Sequence, residues 1–135
     1  MSWDVLMIRT RTNAEKSLDE IESENIIPLG QTEIAHEIQS ISARLRCVYN
    51  CDDLSWQSLD SDSWSIEFCV GKDEETQSVM LLIRGGEEPR EVFAALAADL
   101  NVRLIDGSTG EFICPDKTTS FERWRAYRDQ IVNGG

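Results

Sequence analysis

The chain has 135 residues, 41% of them hydrophobic and 28% charged, which is the composition of one globular domain large enough to hold its own core. A formal net charge of −12 argues against direct nucleic-acid binding, which runs on clustered Lys and Arg, and suits either an acidic, solubilising surface or a basic protein partner. No apolar run approaches the roughly 20 residues of a spanning helix, and MSWDVLMIRTR lacks the basic-then-apolar order of a signal peptide, so a soluble cytoplasmic protein without membrane contact is expected.

Trp3 to Arg9 is rich in strand formers and apolar on both faces, which predicts a central strand. Thr10 to Asn25 is polar, with Leu18 and Ile21 as its apolar anchors, and reads mainly as a loop holding at most one helical turn. Ile34, Ile38, Ile41 and Leu45 then recur at steps of four, three and four, predicting a helix over Thr32 to Arg46 with Thr32 as its N-cap and Arg44 and Arg46 at the negative end of its dipole. His36 flanks that apolar stripe with no nucleophile at a supporting spacing and is read as a structural or solvent-edge residue.

Cys47 to Asp62 (CVYNCDDLSWQSLDSD) reads as a connection in which Asp52, Asp53, Asp60 and Asp62 surround Leu54, Trp56 and Leu59. The Asp60-x-Asp62 spacing matches the opening of a calcium loop, but the glycine and closing glutamate of that loop are missing and no metal is expected. Two readings of the segment stand side by side: a wrapping loop with Trp56 over the core edge, or a binding surface in which an aromatic anchor is ringed by carboxylates.

Trp64, Ile66, Phe68 and Val70 alternate with polar residues as in a strand with one face in the core. The acidic turn Lys72-Asp73-Glu74-Glu75 follows, and Val79 to Ile83, apolar on both faces, predicts an interior strand. From Cys47 to Gln77 there are eight acidic residues against the single Lys72, a concentration that solubility alone would spread out. Gly85-Gly86 makes a tight strand-to-helix turn, Pro89 opens a helix running to Leu100, and Val102 to Ile105 forms a further strand. Glu111 to Cys114 returns as a short extra strand, and Thr118 to Val132 predicts a C-terminal helix with Phe121, Trp124, Tyr127 or Arg128, and Ile131 on one side. That helix either joins the helical layer or covers the other sheet face.

The order predicts an α+β domain spanning residues 1–135. Its antiparallel sheet has the ferredoxin-like βαββαβ order, with the first strand and the Val79 to Ile83 strand in the middle, plus the short strand and C-terminal helix. The four cysteines, Cys47, Cys51, Cys69 and Cys114, carry no zinc-ligand spacing and are expected as free buried thiols. No catalytic pattern stands out and no cofactor is implied, so the expected role is non-enzymatic.

WSIEFCVG, VMLLIRGGEEP and LIDGSTGEF, between Trp64 and Ile113, resemble stretches of small acidic bacterial proteins with a strand ending in RGGxxP and a later D-x-x-T-G-E-[FI]. Those proteins resemble immunity proteins of contact-dependent growth inhibition and other polymorphic toxin systems. The resemblance implies a cognate protein toxin as partner and no active-site residues. Charge points the same way, because carboxylates can stand in for phosphates in the groove of a basic nuclease-type toxin. The candidate partner-binding residues are therefore Asp52, Asp53, Trp56, Asp60, Asp62, Asp73, Glu74 and Glu75. Two other classes fit a domain of this kind: a small hydrolase using a carboxylate pair, and a regulatory, ligand-binding domain acting as a homodimer.

Overall fold

The computed structural model describes residues 2–12 and 14–113 of the chain. They form an α+β domain around a six-stranded sheet. Its strands are β1 (Trp3–Ile8), β3 (Val48–Asp53), β4 (Trp56–Asp60), β5 (Trp64–Cys69), β7 (Val79–Gly85) and β8 (Arg103–Asp106). The order is β3-β4-β5-β7-β1-β8 and every neighbouring pair is antiparallel. Two short strands, β2 (Leu29–Gly30) and β6 (Glu75–Thr76), pair apart from it.

Alternation decides which face each strand buries. Trp3, Val5 and Met7 of β1, Val79, Leu81 and Ile83 of β7, and Ile66 and Phe68 of β5 are all at most 2% exposed, and they form one core with the helices α1 (Gln31–Leu45) and α2 (Arg90–Leu100). α1 contributes Ile34, Ile38 and Ile41, and α2 contributes Val92, Phe93, Leu96 and Leu100. The Trp3 ring meets Phe93 edge-on at 5.8 Å. Both helices thus lie on one face, and β1 and β7 occupy the interior places that their two-sided apolar sequences demand.

Four expectations need correction. The ferredoxin-like strand count and order do not hold as stated, because the sheet has six strands. The additional pair comes from Cys47 to Asp62, expected as a connection, which forms the hairpin β3–β4. Helix α1 starts after Gly30 rather than at a Thr32 cap: the Glu33 carboxylate accepts the Gly30 amide at 3.2 Å and also pairs with Arg9 at 3.0 Å, so the helix entry is tied to β1 instead of closed by a hydroxyl. Glu111 to Ile113 borders β8 through bonds from the Asp106 amide to Glu111 O and from the Ile113 amide to Leu104 O, and forms isolated bridges rather than a strand. The helix predicted over 118–132 and Cys114 lie outside the described residues.

Gly85 explains the RGG turn physically. Its φ is +128°, and a side chain there would strike Ser63 O and stand 2.6 Å from Trp64 Cα, so the end of β7 packs onto β5 only with glycine.

Candidate interaction surface

The β3–β4 hairpin is held from within by a buried amide. Gln57, with no exposed surface, donates from Nε2 to Leu54 O at 2.9 Å and accepts the Tyr49 hydroxyl at 2.7 Å. Burial, followed by a hydrogen bond with Cys51, pushes the Tyr49 phenol up to about 12, so it stays a neutral donor. With Leu54 O fixed, the tip Leu54–Ser55 turns tightly, and Asp53 Oδ1 accepts the Ser55 amide at 2.8 Å. That amide, then the Ser55 hydroxyl, holds the Asp53 carboxyl below the usual range; Lys72 adds to the effect.

Inward residues Tyr49, Cys51, Gln57 and Leu59 leave Val48, Asn50, Trp56 and Ser58 on the opposite face. Trp56 is 47% exposed, Val48 59% and Leu54 40%, three large apolar side chains on one hairpin presented to solvent. Leu54 and Trp56 stand together at the hairpin tip, whereas Val48, paired with Asp60, lies at the other end, about 13 Å away at roughly 3.3 Å per residue.

Two groups of carboxylates border it. The hairpin tip docks on the turn after β5, where Ser55 O accepts the Val70 and Gly71 amides at 2.9 and 3.1 Å. Gly71 O in turn accepts Gln31 Nε2 at 2.8 Å, and the Gln31 amide bonds Glu74 O at 2.8 Å. These bonds bring Asp52, Asp53, Asp73, Glu74 and Glu75, all exposed, to the end of the molecule that holds the hairpin tip, with Lys72 among them; the turn that carries Asp73, Glu74 and Glu75 is tied to Gly30 and Gln31 on the helix side of the sheet, and Trp56 faces the other side. Asp60 and Asp62 do not join them. Asp60 ends β4, about 13 Å from Trp56 at roughly 3.3 Å per residue, and Asp62 follows it in the turn to β5. Asp60 there is half-buried and bonded to Asn50 at 3.3 Å, and Asp62 is exposed. Beside them opens a cleft of about 350 Å³ lined by Cys47, Trp64, Glu87, Glu88 and Glu91 among others.

The surface therefore gathers six of the eight candidates, including Trp56, and sets Asp60 and Asp62 apart. It adds Leu54, exposed at the hairpin tip two residues before Trp56.

Elsewhere, Glu37 and Asp99 face each other between α1 and α2, with Arg44 bridging them at 3.0 and 2.7 Å. Burial, then the neighbouring Asp99 carboxylate, pushes Glu37 up to about 7. His36 is exposed on α1. Cys47, Cys51 and Cys69 are free and half-buried rather than fully buried, and burial pushes the Cys47 and Cys69 thiols up, away from thiolate chemistry. No helix among the described residues is long and apolar enough to cross a membrane.

Comparison with protein-family models, with curated proteins and with solved structures gave no match.

Proposed function

We propose that this chain is a cytoplasmic immunity protein that binds a cognate bacterial toxin and blocks its basic, nuclease-type domain. The observation that carries the reading is Trp56, 47% exposed on a hairpin whose tip docks at the end of the molecule that also carries Asp52, Asp53, Asp73, Glu74 and Glu75. An aromatic anchor inside a charged rim is the arrangement of an interface hot spot. Charge of one sign steers a cationic partner and fixes its approach, and Trp56 with Leu54 supplies apolar area to bury on contact. Asp60 and Asp62 serve as an outer arm for a partner large enough to reach along β4.

In this reading the sheet is an elaborated split-βαβ core, β5-β7-β1-β8, to which the β3–β4 hairpin has been added as the recognition element.

Growth of bacteria expressing the basic C-terminal domain encoded by the neighbouring gene tests the proposal. The wild-type chain is expected to restore growth, and Trp56→Ala combined with Asp52→Asn and Asp53→Asn to lose that protection while remaining folded. Full protection by the triple variant would refute this surface, and no protection by the wild type would refute the role.

A further inference from the structure

The two edges of the sheet are finished differently. The edge strand β8 is covered: the Asp106 amide bonds Glu111 O at 2.8 Å, the Ile113 amide bonds Leu104 O at 2.7 Å, and Phe112 bridges to Ile105. The opposite edge strand, β3, pairs with β4 alone, and among the described residues nothing takes up its outer side. In an antiparallel ladder every second residue of such a strand directs its N–H and C=O away from the neighbour, so part of the backbone of Val48–Asp53 faces solvent as a template for another strand. Val48 is 59% exposed, and Asn50, Asp52 and Asp53 are exposed as well, so side chains leave this edge open.

Edge strands are usually blunted by lysine, proline, a bulge or a cover. β3 has no lysine or proline, and its one irregularity is the register shift between Cys51 and Asp53, which leaves the ladder from Val48 to Cys51 regular. Its charge is one-sided. From Cys47 to Gly71 there are five carboxylates, Asp52, Asp53, Asp60, Asp62 and Glu67, and no Lys or Arg. Arg46, exposed where α1 ends, stands just before the strand, so the edge runs from a positive residue at the Val48 end to a negative pair at the hairpin tip.

Building on the toxin-binding role, on which this inference rests, we propose that the outer edge of β3 receives an extended, basic segment of the toxin as an added strand. Main-chain hydrogen bonds supply the contact and side chains the specificity. Lys or Arg residues of the segment belong at the Asp52–Asp53 end, and an apolar residue belongs opposite Val48, where Arg46 repels a cation. A second copy of this chain is the poorer occupant, because each carries −12 and pairing two such edges gathers like charge. An edge also lies between the two sides on which the site is divided. Trp56 faces one side of the sheet, whereas the turn with Asp73, Glu74 and Glu75 is tied to Gly30 and Gln31 on the helix side. Successive residues of an extended segment point to alternate sides, so one strand laid along β3 and past the hairpin tip can meet both groups.

The full-length chain tests this with a defined probe, a capped eight-residue peptide alternating arginine and valine. The controls are the same peptide methylated on every amide nitrogen and a peptide alternating glutamate and valine. Amide hydrogen exchange is followed by nuclear magnetic resonance at low ionic strength. With the arginine peptide in excess, every second amide from Val48 to Asp53 is expected to exchange at least about fivefold more slowly, while the amides of β8 keep their rates. Both control peptides are expected to leave β3 unprotected.

Equal protection by the methylated peptide would mean charge contact without an added strand and would overturn the proposal. So would protection confined to other residues, no protection at all, or protection of β3 without peptide that grows with protein concentration, which would assign the edge to a second copy. Growth restored by the wild-type chain alongside an unprotected β3 would leave the toxin-binding role standing and remove this edge from it, whereas growth not restored would remove the role itself.

Discussion

The hairpin that presents Trp56 stands or falls with Gln57, and the cost of disturbing it can be worked out. Gln57→Leu removes two buried hydrogen bonds, one to Leu54 O and one from Tyr49, and leaves both partners without their amide. Each bond contributes about 1 kcal/mol net, and each stranded group adds about 1 kcal/mol or more, against which leucine regains some apolar burial. The expected loss is about 3 kcal/mol. Tyr49→Phe removes one bond and strands one carbonyl, for about 1.5 kcal/mol. In the double variant the Tyr49–Gln57 bond is already gone, so the loss should stay near 3 kcal/mol and the coupling between the sites should be about 1.5 kcal/mol. Urea unfolding of the four proteins measures all three quantities. Strict additivity, or a Gln57→Leu protein as stable as wild type, would refute the claim that this amide organises the tip.

Other consequences follow from single residues. Glu37 holds a proton in the folded protein up to about pH 7 that its unfolded form, near 4.5, releases, so between these values stability falls as pH rises. At about 1.36 kcal/mol per unit, reduced because Arg44 and Asp99 are partly exposed, Glu37→Gln should add about 1–2 kcal/mol at pH 8 and flatten the profile above pH 5; thermal melts at several pH values check both. Asp99 acts in the opposite sense and in another window: its carboxyl is held low by Glu37 and then Arg44, so its contribution is lost only as pH falls below the ordinary carboxylate range. Gly85→Ala should cost about 3 kcal/mol or more, since both the positive φ and the contacts with Ser63 and Trp64 backbone oppose it; a melt unchanged from wild type would contradict the close packing of β7 on β5.

Much of this fold could be read in advance because burial and periodicity coincide. β1, β5 and β7 show their core residues at every second position, and α1 shows its isoleucines at steps of three and four. The β3–β4 hairpin hid itself because its inward positions are Tyr49, Cys51, Gln57 and Leu59, of which Leu59 alone is an unambiguous core residue. Gln57 is buried by virtue of its hydrogen bonds, and single-sequence hydropathy has no term for a polar group satisfied across a turn. For the same reason the acidic run showed how much charge was concentrated and concealed its division. Asp53 and Asp60 close opposite ends of one hairpin, so once the strands formed, the carboxylates separated into a group at the hairpin-tip end and another beside the Ser61–Trp64 turn. Trp56 itself was legible as a choice between covering the core and meeting a partner, and strand parity turns it outward.

The most direct measurement is equilibrium binding of the proposed cognate toxin domain to three proteins at about 0.05 M and 0.5 M salt. They are the wild type, Trp56→Ala, and a variant with Asp52, Asp53, Asp73, Glu74 and Glu75 made neutral. Trp56→Ala is expected to weaken binding at least about 30-fold at both concentrations, the loss of a hot-spot anchor of about 2 kcal/mol. The neutral variant is expected to lose most of the salt dependence. Equal affinity of all three proteins, with the same response to salt, would contradict the proposed interface.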